Sequence, residues 1–330
     1  MTLRIGILGA ARVATYAMIA PAQEVDGVSV QAVAARDPER ARAYADQHGI
    51  ARAYADYRTL IEADDVDAVY VALPPNLHAG WSIAALAAGK PVLCEKPFAL
   101  TTADARAMVA AEAAHGGLLM EAQHSHYHPL AARMRAMVAG GMLGDISAVT
   151  ASFTIDFPPT PGELRYDRRV GGGALWDLGV YPLYWARSAL GVEPTVAAAA
   201  QRWLDDDRAE GADIATKARL TTPHGTDIAV DCAFDQPFAA TIRFTGSRGW
   251  LDIRNPLAPQ RGHDVRWMID GREGSEEFPG PSTYVHQLAA FRDAVLNSAP
   301  VATRGEDSLA TMQLMAAIDS LARTGVRHAD

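Results

Sequence analysis

Leu3-Arg4-Ile5-Gly6-Ile7-Leu8-Gly9-Ala10-Ala11-Arg12-Val13-Ala14 begins with a short apolar run, passes through a turn of small residues and enters an alanine-rich stretch. The run predicts a strand over residues 4–8 and a helix over 14–23. Gly9, Ala11 and Ala14 then occupy the three small-residue positions of a G-x-G-x-x-G turn in its strand-to-helix context. Small residues there let the backbone turn sharply and approach a pyrophosphate, whose charge the N–H groups of the helix N-terminus can hold. Gly9, Ala10, Ala11, Arg12 and Val13 are therefore candidate cofactor contacts. Two of the three glycines are alanine here, so the same residues also suit an ordinary tight turn.

Outward from that turn, short apolar runs at 28–34, 68–73, 92–94 and 118–122 alternate with helical patterns at 38–48, 78–88 and 102–114. This alternation predicts a doubly wound parallel sheet with helices on both faces, an α/β Rossmann domain. Past His128 the texture changes. A helical pattern at 129–139 ends at Gly140-Gly141, and alternating segments at 147–157, 215–220, 226–234, 240–245 and 250–254 are separated by turn signals at 223–225 and 246–249. These predict an α+β domain with a large open, mainly antiparallel sheet. Helical patterns at 284–296 and 308–322 close the chain. The expected division is 1–124 for cofactor and 125–330 for substrate binding and oligomerisation, with the last helices packing back.

Composition agrees with a two-domain globular protein. The 330 residues are 49% apolar and 21% charged, which excludes a disordered, collagen-like or coiled-coil chain. A net charge of −9 opposes binding to nucleic acid or an anionic membrane, so a small-molecule substrate is favoured. Cys94 and Cys232 form no CxxC pattern, and no apolar run approaches the ~18 residues of a spanning helix. With a start that lacks a secretory pattern, the expectation is a cytoplasmic protein.

The end of the second predicted strand chooses between cofactors. NAD is recognised there by an acidic residue that accepts hydrogen bonds from the ribose hydroxyls. This chain has Ala35, followed by Arg36 and, one helical turn later, Arg40. A guanidinium in that place can hold a ribose phosphate, so NADP is expected, with NAD as the alternative. Arg12 can stack on adenine or join the phosphate clamp. The alternative is that all three are solvent-facing arginines on a helical protein.

Two further segments raise the resolution. Pro75-Asn76-Leu77-His78 leads into Ala88-Gly89-Lys90-Pro91-Val92-Leu93-Cys94-Glu95-Lys96-Pro97, and Gly171-Gly172-Gly173-Ala174-Leu175-Trp176-Asp177-Leu178-Gly179-Val180-Tyr181 lies in the second half. Together with Met120-Glu121-Ala122, His128-Pro129 and residues 284–291, they resemble the Gfo/Idh/MocA oxidoreductases over nearly the whole chain. The tyrosine at position 181 is like the glucose-fructose oxidoreductase and dihydrodiol dehydrogenase branch, where the inositol dehydrogenase branch carries histidine. The resemblance implies a Rossmann domain, an open-sheet second domain, and reversible hydride transfer to or from a sugar, ketosugar or cyclic diol. It also implies a homodimer or higher homo-oligomer, which fits a sheet with a face needing cover.

Oxidising a secondary alcohol requires removal of its hydroxyl proton as hydride leaves for nicotinamide C4, and the reverse requires a proton donor. A free phenol, with a pKa near about 10, is a poor base at neutral pH, and a neighbouring ammonium favours the phenolate. The resemblance puts the lysine of Glu95-Lys96-Pro97 beside nicotinamide and substrate, so Tyr181 is the candidate acid/base and Lys96 its assistant. Asp177, four residues before Tyr181, shares its helical face and is the candidate orienting or substrate-binding group. Leu73, Pro74, Asn76, His78 and Glu95 are further cofactor-side candidates, and Arg165 matches a family arginine near the nicotinamide.

His124, His126 and His128 would share one face of a strand, as metal ligands can, but the helix expected from His128-Pro129 breaks that face. No metal site is expected. His126 is retained as a substrate candidate. Two other readings use the same scaffold: a glycosidase that acts through a retained NAD, and a non-catalytic NADP-sensing regulator, against which Lys96 and Tyr181 argue.

Overall fold

The computed structural model of the chain describes residues 2–325. They fall into two compact units, the first comprising residues up to His124 together with Tyr284–Met312, the second Ser125–Thr283 with the residues from Gln313 onward.

In the first unit, six parallel strands are β1 (Leu3–Leu8), β2 (Val28–Ala34), β3 (Arg52–Tyr54), β4 (Ala68–Val71), β5 (Val92–Cys94) and β6 (Leu119–Glu121). Their order, β3-β2-β1-β4-β5-β6, reverses direction at β1, the switch point where open α/β sheets bind ligands. Strands β1, β4 and β5 are buried almost throughout, as expected of a sheet covered on both faces. Helix α1 (residues 12–22) contains a π-helical stretch, Thr15–Ile19. Helix α2 (Pro38–His48) begins at an Asp37 side chain that accepts from Glu39 N–H at 2.9 Å, has proline in its first turn, and ends at Gly49 in the left-handed conformation. Helices α3 (Tyr57–Glu62), α4 (Pro75–Ala87) and α5 (Thr102–His115) complete the crossovers. The β6 edge is covered by Thr303, whose carbonyl accepts from Glu121 N–H and whose hydroxyl donates to the Glu121 carbonyl. The neighbouring Arg304 pairs with the buried Glu112 at 2.8 Å.

In the second unit, helix α6 (Pro129–Ala139), a π-helical turn (Leu175–Gly179) and helix α7 (Val180–Leu190) lie on one face of an eight-stranded sheet. The sheet strands are β7 (Ile146–Asp156), β8 (Thr195–Trp203), β9 (Asp213–Thr221), β10 (Asp227–Ala233), β11 (Asp235–Gly246), β12 (Gly249–Arg254), β13 (Asp264–Ile269) and β14 (Arg272–Glu276). Their order is β14-β13-β12-β11-β7-β10-β9-β8, antiparallel except for β10 beside β7. Val149, Ala151 and Phe153 of β7, with Ala240, Ile242 and Phe244 of β11, pack with Tyr184 and Trp185 of α7. Two C-terminal helices follow, α8 (Thr283–Asn297) and α9 (Gly305–Thr324), the latter sending Leu314, Met315 and Ile318 into this core.

The structure corrects several boundaries. Strand β4 stops at Val71, so Leu73 and Pro74 lie in the loop beyond it, and α4 starts three residues earlier than expected, at Pro75. Strand β3 and helix α3 were not anticipated. Two of the three β3 residues are exposed, so they present no apolar run. Strands β8, β13 and β14 were also missed. Strand β8 runs through consecutive alanines, and β14 is a short, largely polar edge.

Candidate active site

The turn after β1 depends on a close approach. Gly9 has φ 109°, and a Cβ there would lie 2.6 Å from the Ala72 carbonyl oxygen. Only glycine supplies both the conformation and the space. Ala11 precedes α1 without a side-chain cap, so the N-terminus of that helix faces the turn through backbone alone. Two residues of α2 brace the turn from the side: Arg40 donates to the Ala10 carbonyl at 2.9 Å, and Tyr44 Oη donates to the Ala11 carbonyl at 2.9 Å. Tyr44, four residues after Arg40 on the same helical face, is a brace that sequence reasoning missed. Arg12 and Arg36 are exposed, Ala35 is buried, and the Asp37 carboxylate, next in sequence to Arg36, caps α2. The residues present fit a phosphorylated dinucleotide: a cradle a Cβ would fill, a bare helix N-terminus and an exposed guanidinium where an acid would otherwise sit.

A second group gathers at the carboxyl ends of β4 and β5. Glu95, nearly buried, accepts from Tyr70 Oη at 2.5 Å with one oxygen and from Lys96 N–H at 3.3 Å with the other. Tyr70 is fully buried, so this bond holds the carboxylate to the sheet. His78 is also fully buried. Its Nδ1 lies 2.9 Å from the Pro97 carbonyl and its Nε2 2.7 Å from the Leu73 carbonyl, tying the loop after β4 to the turn that carries Lys96. Asn76 is exposed at the start of α4. The Lys96 side chain is half-buried, and its charge reaches both His78 and His124. His124 stacks on Tyr284 of α8 at 4.1 Å, and burial with the Lys96 charge pushes its pKa down to about 3, so the ring is neutral.

In the second unit, residues 171–181 bring Asp177, Tyr181 and Arg165 together. Gly172 lies against the backbone of Leu164 and Arg165, where a Cβ would meet the two carbonyl oxygens at 2.5 and 2.7 Å, and Gly173 N–H donates to the Arg165 carbonyl. The Arg165 guanidinium pairs with Asp177 at 2.8 Å and with Glu163 at 3.3 Å while lying over the Phe157 ring. Asp177 occupies the π-helical turn, which runs without a break into α7, and Tyr181 lies in the first turn of α7 beside Pro182. The Tyr181 ring is edge-on to Phe153 at 5.7 Å and near Trp185 at 6.2 Å.

The three alternating histidines do not share a face. Residues 124–127 form a 3-10 turn, His128 caps α6 by accepting from Leu130 N–H, and His126 turns to Tyr184 and Arg135. The Arg135 guanidinium can only donate, so His126 Nδ1 is an acceptor and its proton sits on Nε2. Burial and the charges of Arg135 and Arg187 push its pKa down to about 3.

Asp213, another residue missed from sequence, anchors this segment. It is buried, and its Oδ2 accepts from Leu175 N–H at 2.8 Å and Thr216 Oγ1 at 2.7 Å, while Oδ1 fills the space where a Gly173 side chain would be. A carboxylate followed by Ile-Ala-Thr at a strand start carries no signal for this role.

Residues 3–123 match the oxidoreductase family with an NAD-binding Rossmann fold, and residues 131–252 match the GFO/IDH/MocA C-terminal domain. The chain belongs to the Gfo/Idh/MocA oxidoreductase family. Its relatives include the dTDP-3,4-didehydro-2,6-dideoxy-alpha-D-glucose 3-reductase of Actinomadura kijaniata, 34% identical over 98% of this chain and 96% of that one. They also include D-xylose 1-dehydrogenase (NADP(+)) 2 of Haloferax volcanii, 33% identical over 97% of each chain. Among solved structures, aldose-aldose oxidoreductase from Caulobacter crescentus, complexed with glycerol, superposes with a TM-score of 0.90 at 29% identity, covering 99% of this chain and all of its own. Among the described residues, no helix is long and apolar enough to cross a membrane.

Burial raises the Asp213 carboxyl from the usual aspartate range to about 6, against the two donors that favour its charged form. The folded state therefore binds this proton more tightly than the unfolded chain. The resulting stabilisation is complete below about pH 4 and is lost as pH rises through about 6, a change of order 3 kcal/mol at most. Asp213→Asn keeps an acceptor oxygen for Leu175 and Thr216. Denaturant unfolding from pH 4 to 8 should show a smaller loss of stability for Asp213→Asn than for wild type, and parallel curves would refute the assignment.

Proposed function

We propose that the protein is an NADP-dependent dehydrogenase or reductase acting on a secondary alcohol or ketone of a sugar, ketosugar or cyclic diol. The observation that carries the cofactor choice is the end of β2, where buried Ala35 and exposed Arg36 replace the acid that would bind the ribose of NAD. Support for the substrate class comes from the relatives, whose names specify a nucleotide-linked ketosugar, D-xylose and aldoses.

When bound, the nicotinamide supplies or accepts the hydride. Gly9 to Val13 receive the pyrophosphate, Arg36 pairs with the ribose phosphate, and Arg40, held to the Ala10 carbonyl, keeps the turn in place. Tyr181 gives a proton to the carbonyl oxygen in reduction and removes it in oxidation. Lys96 stabilises negative charge on the reacting oxygens, and Asp177, oriented by Arg165, binds a substrate hydroxyl. His126, with Nδ1 engaged, has an Nε2–H for a substrate oxygen.

The helix-free face of the eight-stranded sheet is the proposed dimer contact. Ala198, Ala200, Ala229 and Ser152 floor a depression of about 560 Å³, flanked by Lys217–Asp231 and Arg219–Asp227 pairs. A floor of small side chains with both charge signs beside it suits pairing about a two-fold axis, so the partner is a second copy of this chain.

Tyr181→Phe and Lys96→Ala should each lower kcat by about 10²–10⁴-fold while NADPH titration by fluorescence changes little; normal turnover in Tyr181→Phe would remove the mechanism. For Arg36→Ala, NADPH affinity should fall about 10- to 100-fold with NADH affinity nearly constant, and equal losses would reject the phosphate contact. Light scattering should report a dimer for wild type and a monomer for Ala229→Arg. A monomeric wild type at micromolar concentration would count against the sheet contact.

A further inference from the structure

Phe238 is 62% exposed, the most exposed large apolar side chain among the described residues. Strand β11 turns Ala240, Ile242 and Phe244 toward the helices, and contact with Phe153 of the same core sets Phe238 at the end of that row. Its ring meets Phe153 edge-on at 6.3 Å, and Phe153 in turn meets Tyr181 at 5.7 Å. The exposed ring is thus one aromatic side chain away from the candidate acid/base.

The backbone that presents it is irregular. Asp235 pairs with Asp156 and Ala239 with Thr154, so four steps along β11 oppose two along β7, and Gln236–Phe238 are extruded from the ladder. Thr154 Oγ1 donates to the Pro237 carbonyl at 2.6 Å, and Asp235 is paired with Arg202 at 2.6 Å, which pins the bulge at both ends. Bulges give up ladder hydrogen bonds and serve to re-aim side chains beside active sites. Here the side chain so aimed is an aromatic ring left in water.

We propose that Phe238 is a substrate-binding platform that stacks on the apolar C–H face of a ring-shaped polyol and so selects cyclic over open-chain substrates. The inference rests on the oxidoreductase reading above and narrows its substrate class. A pyranose or cyclic diol carries its hydroxyls on the rim and C–H groups on its faces. A fixed aromatic ring complements such a face, and the hydroxyls remain for Asp177 and His126. An open-chain polyol has no comparable face.

The test compares wild type, Phe238→Ala and Phe238→Trp, each checked by thermal melting, with D-xylose as the cyclic probe and glycerol as the open-chain probe. Oxidation with NADP+ gives kcat and KM. Saturation-transfer NMR of D-xylose with NADPH-loaded protein reads binding without turnover. For Phe238→Ala the expected result is a KM for D-xylose raised about 10-fold or more, with kcat, NADPH affinity and the KM for glycerol little changed; Phe238→Trp should restore xylose binding. Loss of kcat, equal effects on the two probes, or no effect on xylose would overturn the platform while leaving the oxidoreductase reading in place. A wild type that neither binds nor oxidises any compound of a wider sugar and cyclic diol panel would overturn both.

Discussion

At Gly9 the backbone runs so near the Ala72 carbonyl that a single added carbon would lie 2.6 Å from its oxygen, and at Gly172 the same carbon would lie 2.5 Å from the Leu164 carbonyl. The turn after β1 and the segment that carries Asp177 each depend on such an approach. The first lets the chain leave β1 beside the end of β4 and enter α1 with its N–H groups toward the turn. The second presses the start of the 171–181 segment onto Arg165, so the guanidinium reaches Asp177 from a fixed base. Side-chain volume is the quantity being controlled. Larger residues at either place would push the approaching backbone segments apart.

Around these approaches the structure uses buried polar groups as fasteners. Tyr70 holds Glu95, His78 joins the Leu73 and Pro97 carbonyls, and Asp213 holds Leu175. Each lies where water is excluded, so losing one partner would leave an unsatisfied group at a cost of about 1–3 kcal/mol. The same burial keeps His124 and His126 neutral, with pKa values near 3. Two imidazoles close to cationic side chains are therefore uncharged at neutral pH.

Much of this was legible in the residue order. Alternating apolar runs and alanine-rich stretches marked five of the six parallel strands to within two residues, because strands buried on both faces are apolar throughout. Helix α2 announced both its ends through Asp37-Pro38 and Gly49. Among the elements that escaped, β3 and β14 are slightly buried and β8 is built of small side chains, while α3 and β13 escaped as well. Arg165 and Asp177 were each recognised by motif, yet their pairing at 2.8 Å was not, since twelve positions separate them with no helical or strand spacing between.

Residue order alone determined the two-sheet architecture and most of its strands, the small-residue turn and the absence of an acid directly after β2, because each is a local pattern of volume, polarity or backbone freedom. Tertiary structure alone decided which distant groups support them: Tyr44 under the turn, Tyr70 on Glu95, Asp213 beneath Leu175, and the bulge that leaves Phe238 in solvent. Those partners are chosen by packing between segments far apart in the chain, where register and burial, rather than residue type, set which atoms meet.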